Sequence, residues 1–280
     1  MFAFFANMFG YILNFIYEIV KNYGLSIIIF SILIKIILLP ISIKQQKTMQ
    51  KTTKINEQVR QLQFKYKNNP EMLNKETMAL YKRENMSPLS GCFSSIIQII
   101  LLLSVFFLVQ SPLTYMRKVD TTVIEDYKSK LIQDGQAGGN IKYPEINIIK
   151  EKGQEDERVY INMEFLGLDL SLVPVGSMGD YRVYIIPVLY VISSIASMKI
   201  STNMTKKKKK EENGNEEKNE MDAIEEANKN MMYIMPVMAV SVSLIAPLGL
   251  ALYWLVNNLL MIIEKVIMNK IIKTEGEENA

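Results

Sequence analysis

Long apolar runs alternate with strongly charged stretches along the 280 residues of the chain. The first long run, Leu25 to Ile43, reads LSIIIFSILIKIILLPISI and has 19 residues, close to the roughly 20 that a helix needs to cross a bilayer. The last run, 231–271, is too long for one crossing and is divided by the turn Ala246-Pro247-Leu248-Gly249. The pattern therefore predicts five transmembrane helices, at 25–43, 93–116, 181–200, 231–246 and 247–271.

The first 20 residues show a different pattern. Apolar side chains recur there at intervals of three and four residues, which places them on one face of a helix: Phe2, Phe5, Phe9, Ile12, Ile16 and Ile19. We predict that 1–20 forms an amphipathic helix in the membrane interface. No basic start and no small-residue cleavage site are evident, so we do not expect a cleaved signal peptide.

Residues 44–92 carry ten basic side chains against four acidic ones. Apolar positions within this stretch follow a coiled-coil-like spacing of four, three and four residues: Ile55, Val59, Leu62 and Tyr66. Asn68-Asn69-Pro70 breaks the pattern, and Leu73, Thr77 and Leu80 resume it. The pattern predicts a helical hairpin of two antiparallel arms. A solvated charged linker is the alternative.

The other polar stretches give weaker structural signals. Residues 117–180 form a long acidic segment, which we expect to be a loop with little regular structure. Residues 201–230 form a low-complexity charged linker, which we expect to be disordered at its centre, and 272–280 are a short acidic tail. The basic segments 44–92 and 199–210 lie on one side if the N-terminus is outside and the C-terminus is in the cytoplasm.

Lys35 lies near the middle of the first apolar run. A cation at that depth costs roughly 2.5–3.5 kcal/mol on insertion scales, so such residues mark functional sites by default. We expect Lys35 to have no counter-ion within the membrane, and an uncompensated charge does not remain both ionised and dry. Lys35 is then either neutral or lines a water-filled cavity within the bilayer, and we predict the cavity. The alternative is that the side chain extends to the membrane surface.

Small polar side chains share restricted faces of the other predicted spans. Together with Lys35 they predict a hydrophilic groove that is open to the cytoplasm, and we assign Trp254 to the same site. The groove residues predicted are Lys35, Ser31, Ser94, Gln98, Ser194, Ser197, Trp254, Asn257 and Asn258. Hydrogen bonding between neighbouring helices is the alternative reading of each residue taken singly.

Composition excludes several kinds of chemistry. The chain has no histidine and a single cysteine, Cys92. Histidine-ligated zinc sites and serine–histidine or cysteine–histidine nucleophiles are therefore excluded, and no phosphate-binding loop motif is present. We expect no catalytic residues, no metal site and no cofactor, and therefore no enzyme.

Several motifs, in this order and spacing, resemble those of the YidC-type membrane protein insertase family, in the five-span form of single-membrane bacteria. They are NYGLSIII at 22–29, LLPISIKQ at 38–45, SPLSGCFSSIIQ at 87–98, YIIPVLYVIS at 184–193, MMYIMPVM at 231–238 and PLGLALYWLVNN at 247–258. The resemblance covers roughly 20–271. It implies an all-α polytopic membrane protein with five transmembrane helices around a cytoplasm-open hydrophilic groove, and a cytoplasmic helical hairpin.

The resemblance also implies a function. The family inserts membrane proteins and acts as their chaperone, and its groove carries a basic residue on the first span, which is Lys35 here in place of the usual arginine. The family hairpin receives client proteins and matches 44–84, where the candidate residues are Lys54, Ile55, Val59, Leu62, Tyr66, Leu73 and Leu80.

The partners implied are nascent membrane proteins and the lipid bilayer, with the general secretion channel and the ribosome as further candidates. No direct DNA binding is expected. The implied location is the bacterial plasma membrane. A small-solute or ion transporter that uses Lys35 as its anion site is the alternative function, and a structural scaffold is a third.

Overall fold

A computed structural model describes residues 2–87, 90–134, 142–177, 179–212, 241 and 243–278. The first half of the chain forms helix α1 (Phe2–Val20), α2 (Tyr23–Lys65), α3 (Pro70–Arg83) and α4 (Ser90–Gln110), followed by a π-helical turn at Leu113–Arg117. The segment 117–180, called the cap below, contains α5 (Thr121–Gln133), α6 (Pro144–Lys152) and two short strands, β1 (Glu164–Phe165) and β2 (Leu168–Asp169). A 3-10 turn at Tyr181–Tyr184 leads into α7 (Ile185–Glu212), and α8 (Leu248–Glu278) ends the described chain.

Four of the described helices are long and apolar enough to cross a membrane: Phe2–Val20, the segment beginning at Tyr23, Tyr181–Ile200 and Leu248–Met268. Ile99–Gln110 is a shorter apolar stretch of α4. The prediction of an all-α polytopic membrane protein is confirmed. The predicted span 231–246 lies outside the described residues except at 241 and 243–246, as does most of the predicted linker 201–230.

Helix α2 has 43 residues and continues through Pro40. The predicted first span, 25–43, and the first arm of the predicted hairpin therefore belong to one helix. Asn69 begins α3, since its side chain accepts a hydrogen bond from the Met72 amide. Helix α3 folds back on α2, where Lys51 donates to the Glu84 carbonyl at 2.7 Å.

Helix α1 packs against α2, α4 and the π-helical turn. Its buried side comprises Ala6, Phe9, Gly10, Leu13, Ile16 and Tyr17. A side chain at Gly10 would overlap the Tyr115 carbonyl, so the glycine permits this close approach. Large apolar side chains are exposed on the other side, at Phe4, Met8, Tyr11, Phe15 and Ile19. Both faces of α1 are thus largely apolar, and its position in the membrane interface stays a prediction.

The expectation that 117–180 has little regular structure is wrong. Two helices and a β-hairpin form there, and the cap contributes buried apolar residues to the main core: Ile124, Leu131, Ile146, Ile148, Ile149, Val159, Ile161, Met163, Leu168 and Leu170. Short amphipathic helices in a polar segment gain stability chiefly from such packing, which local sequence signals do not reveal.

The cap also closes the start of two membrane-spanning helices. The Tyr23 amide donates to the Asn162 carbonyl at 3.0 Å, and the Leu248 and Gly249 amides donate to the Leu172 and Leu170 carbonyls at 2.9 Å each. The first amides of a helix have no partner within that helix, so the cap supplies the acceptors that lipid lacks. The ends of α2 and α8 next to the cap are called their cap ends below, and the opposite ends their hairpin ends.

Candidate functional site

A cleft of about 100 Å³ lies between α2, α4 and α8. A cleft of this volume has room for several water molecules. Its polar lining consists of Ser31, Lys35, Ser42 and Gln45 from α2 and Asn257 from α8. Its apolar lining consists of Phe9, Phe30, Ile34, Leu38, Ile41, Leu101, Leu102, Val105 and Tyr253. The cleft therefore combines one cation, several hydrogen-bonding groups and apolar walls.

Lys35 forms an ion pair with Glu264 of α8, with Nζ and Oε2 2.5 Å apart. The expectation that Lys35 has no counter-ion within the membrane is therefore wrong. The Lys35 side chain is 23% exposed and the Glu264 side chain 15% exposed. Neither charge is unpaired in an apolar interior, because each lies beside an opposite charge and remains partly exposed.

The geometry of the two helices explains the pairing. Tyr23 and Gly249 lie beside each other at the cap ends, where a Cβ on Gly249 would be 3.5 Å from the Tyr23 ring. Both helices run from there toward the hairpin end. At 1.5 Å per residue, Lys35 lies about 18 Å and Glu264 about 22 Å along its helix. The lysine side chain spans the small remaining offset.

The sequence nevertheless holds a signal for Glu264. Tyr253 and Asn257 line the cleft and are four residues apart, and Glu264 follows Asn257 by seven residues. Those intervals place all three on one face of a helix. Glu264 was missed because it stands near the end of the last apolar run, beside Lys265, where charged residues usually mark the membrane surface.

The structure brings Ser31, Lys35 and Asn257 of the predicted groove residues to the cleft, where Ser42 and Gln45 also lie. The Ser31 hydroxyl donates to the Ile27 carbonyl at 2.7 Å, within its own helix. The side chains of Ser94 and Gln98 lie outside the described part of the structure.

Four other predicted groove residues lie on α7 and α8 and are not among the residues that line the cleft: Ser194, Ser197, Trp254 and Asn258. The Asn258 amide donates to the hydroxyls of Ser193 at 2.9 Å and Ser194 at 3.2 Å. The Trp254 ring lies 6.4 Å from that of Tyr190 on α7. These contacts join α7 to α8, which agrees with the alternative reading of such residues as links between helices.

The predicted hairpin residues differ in exposure. Ile55 on α2 and Leu80 on α3 are buried, whereas Lys54 is exposed. Val59, Leu62, Tyr66 and Leu73 are half-buried, and Phe64 and Met78 are exposed apolar residues nearby. The hairpin therefore has a small apolar contact between its arms and leaves apolar and basic side chains accessible.

Comparison with known proteins identifies the family. The family described as 60Kd inner membrane protein matches residues 15–275. A membrane protein insertase YidC from Fusobacterium nucleatum is 27% identical over 261 residues, which are 93% of this chain and 93% of that protein. The chain belongs to the 60Kd inner membrane protein family.

Other relatives with the same name are longer. The one from Chlorobaculum tepidum is 28% identical over 269 residues, which are 96% of this chain but 36% of that protein. The one from Treponema denticola is 25% identical over 263 residues, which are 94% of this chain and 37% of that protein. The chain thus spans almost the whole of the Fusobacterium relative and little more than a third of the other two.

Proposed function

We propose that this protein is a membrane protein insertase and chaperone of the bacterial plasma membrane. The observation that carries the proposal is the cleft between α2, α4 and α8, which Lys35 lines from within an apolar stretch of α2. Relatives that match nearly the full chain are named membrane protein insertases, which supports the same function.

In this proposal the cleft receives the hydrophilic segment of a nascent membrane protein. Polar lining and space for water lower the cost of bringing that segment into the membrane, because its polar groups keep hydrogen-bonding partners. Lys35 attracts acidic side chains, and a charge acts more strongly in a partly dehydrated cleft than in bulk water. The apolar segment of the client then moves between helices into lipid. No nucleotide hydrolysis is required.

The hairpin formed by α3 and the end of α2 is proposed to receive clients before they reach the cleft. Its first arm is the end of α2, so the accessible residues of that arm lie on the same helix as Lys35. Lys54 offers a charge there, and the half-buried Val59, Leu62, Tyr66 and Leu73 offer apolar surface around the buried Ile55 and Leu80. Amphipathic client segments match this combination of basic and apolar groups.

The proposed orientation has the N-terminus outside and the C-terminus in the cytoplasm, because this places the basic hairpin on the cytoplasmic side. The cap, which accepts hydrogen bonds from the first amides of α2 and α8, then lies on the outer side. Nascent membrane proteins and lipid are the proposed partners. The general secretion channel and the ribosome are further proposed partners at the cap and hairpin ends.

Reconstitution of the purified protein in liposomes tests the proposal. The client is a single-spanning protein with an acidic tail, and insertion is scored as protection of that tail from added protease. We expect insertion by wild type and by Lys35→Arg, and a loss of about tenfold in Lys35→Ala, which corresponds to about 1.4 kcal/mol.

Insertion by wild type no greater than in empty liposomes would contradict the insertase function. Equal insertion by wild type and Lys35→Ala would contradict the role of the Lys35 charge while leaving the insertase function in place. Glu125→Gln is the control variant, because Glu125 is an exposed carboxylate of the cap that pairs with Lys128.

A further inference from the structure

The ion pair at the cleft leaves Lys35 accessible to a second carboxylate. Lys35 lines the cleft, whereas Glu264 contacts its ammonium group without being one of the cleft-lining residues. Both side chains keep part of their surface exposed, at 23% and 15%. A partner entering the cleft therefore reaches the lysine from the open side, while the glutamate holds it from α8.

A second cation belongs to the same cluster. Lys265 follows Glu264 and is close enough to interact electrostatically with both Glu264 and Lys35. The formal charges of the three side chains are two positive and one negative. Removal of the Glu264 charge would leave two like charges near the cleft, and removal of Lys35 would leave a neutral cluster with a carboxylate in it.

We infer that Glu264 is the resident counter-ion of Lys35, and that an acidic side chain of a client must exchange with Glu264 to bind. Glu264 thereby sets how strongly the cleft selects clients with acidic tails. This inference rests on the proposed insertase function, and it assigns the specificity of that function to a second residue.

Exchange of one carboxylate for another has two physical consequences. Lys35 keeps a negative partner before and after the client binds, and the displaced Glu264 keeps the charge of Lys265 nearby, which limits the cost of an unpaired charge. The return of Glu264 also helps to release the client, because the intramolecular carboxylate is always nearby. A transport site must bind its passenger weakly enough to let it leave.

Glu264 also contributes to the effect of substituting Lys35. In Lys35→Ala the Glu264 carboxylate loses its partner and repels an acidic client, so part of the defect comes from Glu264 rather than from the missing lysine. Lys35→Ala combined with Glu264→Gln removes both charges. We expect the double variant to insert clients better than Lys35→Ala alone.

The test uses full-length protein in liposomes and two clients that differ only in the tail, which is acidic in one and carries Asn and Gln at the same positions in the other. Loss of a competing carboxylate from a partly exposed ion pair should strengthen binding of the acidic tail to Lys35 by about two- to fivefold. Glu264→Gln should therefore raise insertion of the acidic client by that factor. Insertion of the neutral client should not change, which also shows that the variant is folded. Glu125→Gln should match wild type with both clients.

Three outcomes would overturn the inference. The first is equal or weaker insertion of the acidic client by Glu264→Gln while the neutral client is inserted normally. The second is an equal gain for both clients. The third concerns the case in which Glu264→Gln inserts neither client, so that the double variant must be compared with Lys35→Ala. Insertion by the double variant no better than by Lys35→Ala would overturn the inference, and better insertion would support it. Failure of wild type with both clients would instead contradict the proposed insertase function itself.

Discussion

Asn258 on α8 donates a hydrogen bond to the Ser193 hydroxyl on α7, with 2.9 Å between Nδ2 and Oγ. The same amide reaches Ser194 at 3.2 Å. Asn257, the preceding residue, lines the cleft instead. Two adjacent asparagines therefore serve different surfaces, one between two helices and the other in the candidate site.

This difference predicts separable effects of two alanine substitutions. Asn258→Ala should lower stability by roughly 0.6 kcal/mol, the average for hydrogen bonds between membrane helices, and by no more than about 1.7 kcal/mol, the largest value. Asn257→Ala should change stability less and reduce insertion of a client with a polar tail, because it removes a hydrogen-bonding group from the cleft. Thermal unfolding in detergent and insertion into liposomes measure the two effects. Equal loss of stability in both variants would contradict the assignment.

Glu145 of the cap predicts a pH dependence of stability. Its carboxylate is buried and accepts hydrogen bonds from the Thr114 hydroxyl at 2.6 Å and the Thr114 amide at 3.0 Å. Burial raises the pKa of Glu145 above its ordinary value near 4.5, and the bonds from Thr114 offset part of this rise. The folded protein therefore holds this proton more tightly than the unfolded chain, so ionisation of Glu145 lowers stability as pH increases through the raised pKa.

Glu145→Gln should remove that pH-dependent loss. The unfolding temperature of the variant relative to wild type should increase as the pH is raised from about 4 to about 8, because only wild type ionises at this position. Measurements in detergent across this range test the prediction. The control is Glu125→Gln on α5, which replaces an exposed carboxylate of the cap and leaves Glu145 in place. If the unfolding temperature of Glu145→Gln instead fell relative to wild type as the pH was raised, the dependence would have the opposite sign and would contradict the prediction.

The burial of Ile55 leads to a prediction about the stability of the hairpin. It is 2% exposed on α2, and Leu80 on α3 is 5% exposed. Truncation of a buried isoleucine to alanine costs roughly 2–5 kcal/mol in a protein core, a large part of what holds two short arms together. Ile55→Ala should therefore increase hydrogen exchange of the α3 amides and weaken client binding, whereas the exposed Lys54→Ala should leave exchange unchanged. Unaltered α3 exchange in Ile55→Ala would show that the apolar contact does not hold the arms together.

The cation of the site could be predicted from the sequence, but its partner was not. Lys35 is the single charge within a long apolar run, and that is a local signal. Glu264 becomes its partner because α2 and α8 begin together at the cap and run in the same direction, which is a property of the tertiary fold. The roles of Ser194 and Asn258 were ambiguous for the same reason, since polar residues on one helix face suit either a groove or a contact between helices.

The helices of the cap could not be predicted from the sequence for a different reason. Asp120 caps α5 and Pro144 stands at the first turn of α6, and residues of these types are common both at helix starts and in turns. Each helix is short and mixed in polarity, so these signals alone did not separate a helix from a loop. Their burial against the membrane helices, and the hydrogen bonds from the cap to the starts of α2 and α8, stabilise structure that local propensity leaves undecided.

The central claim is that the polar segment of a client passes through the cleft between α2, α4 and α8. Site-specific photo-crosslinking during insertion tests it most directly, with the crosslinker at Leu102 or at Ile99. Leu102 lines the cleft and is 40% exposed, whereas Ile99 is on the same helix, is 52% exposed and is not one of the cleft-lining residues. The account predicts crosslinks to the client tail from position 102 that disappear once insertion is complete, and far fewer from position 99. Equal crosslinking from both positions, or crosslinking from position 99 alone, would contradict it.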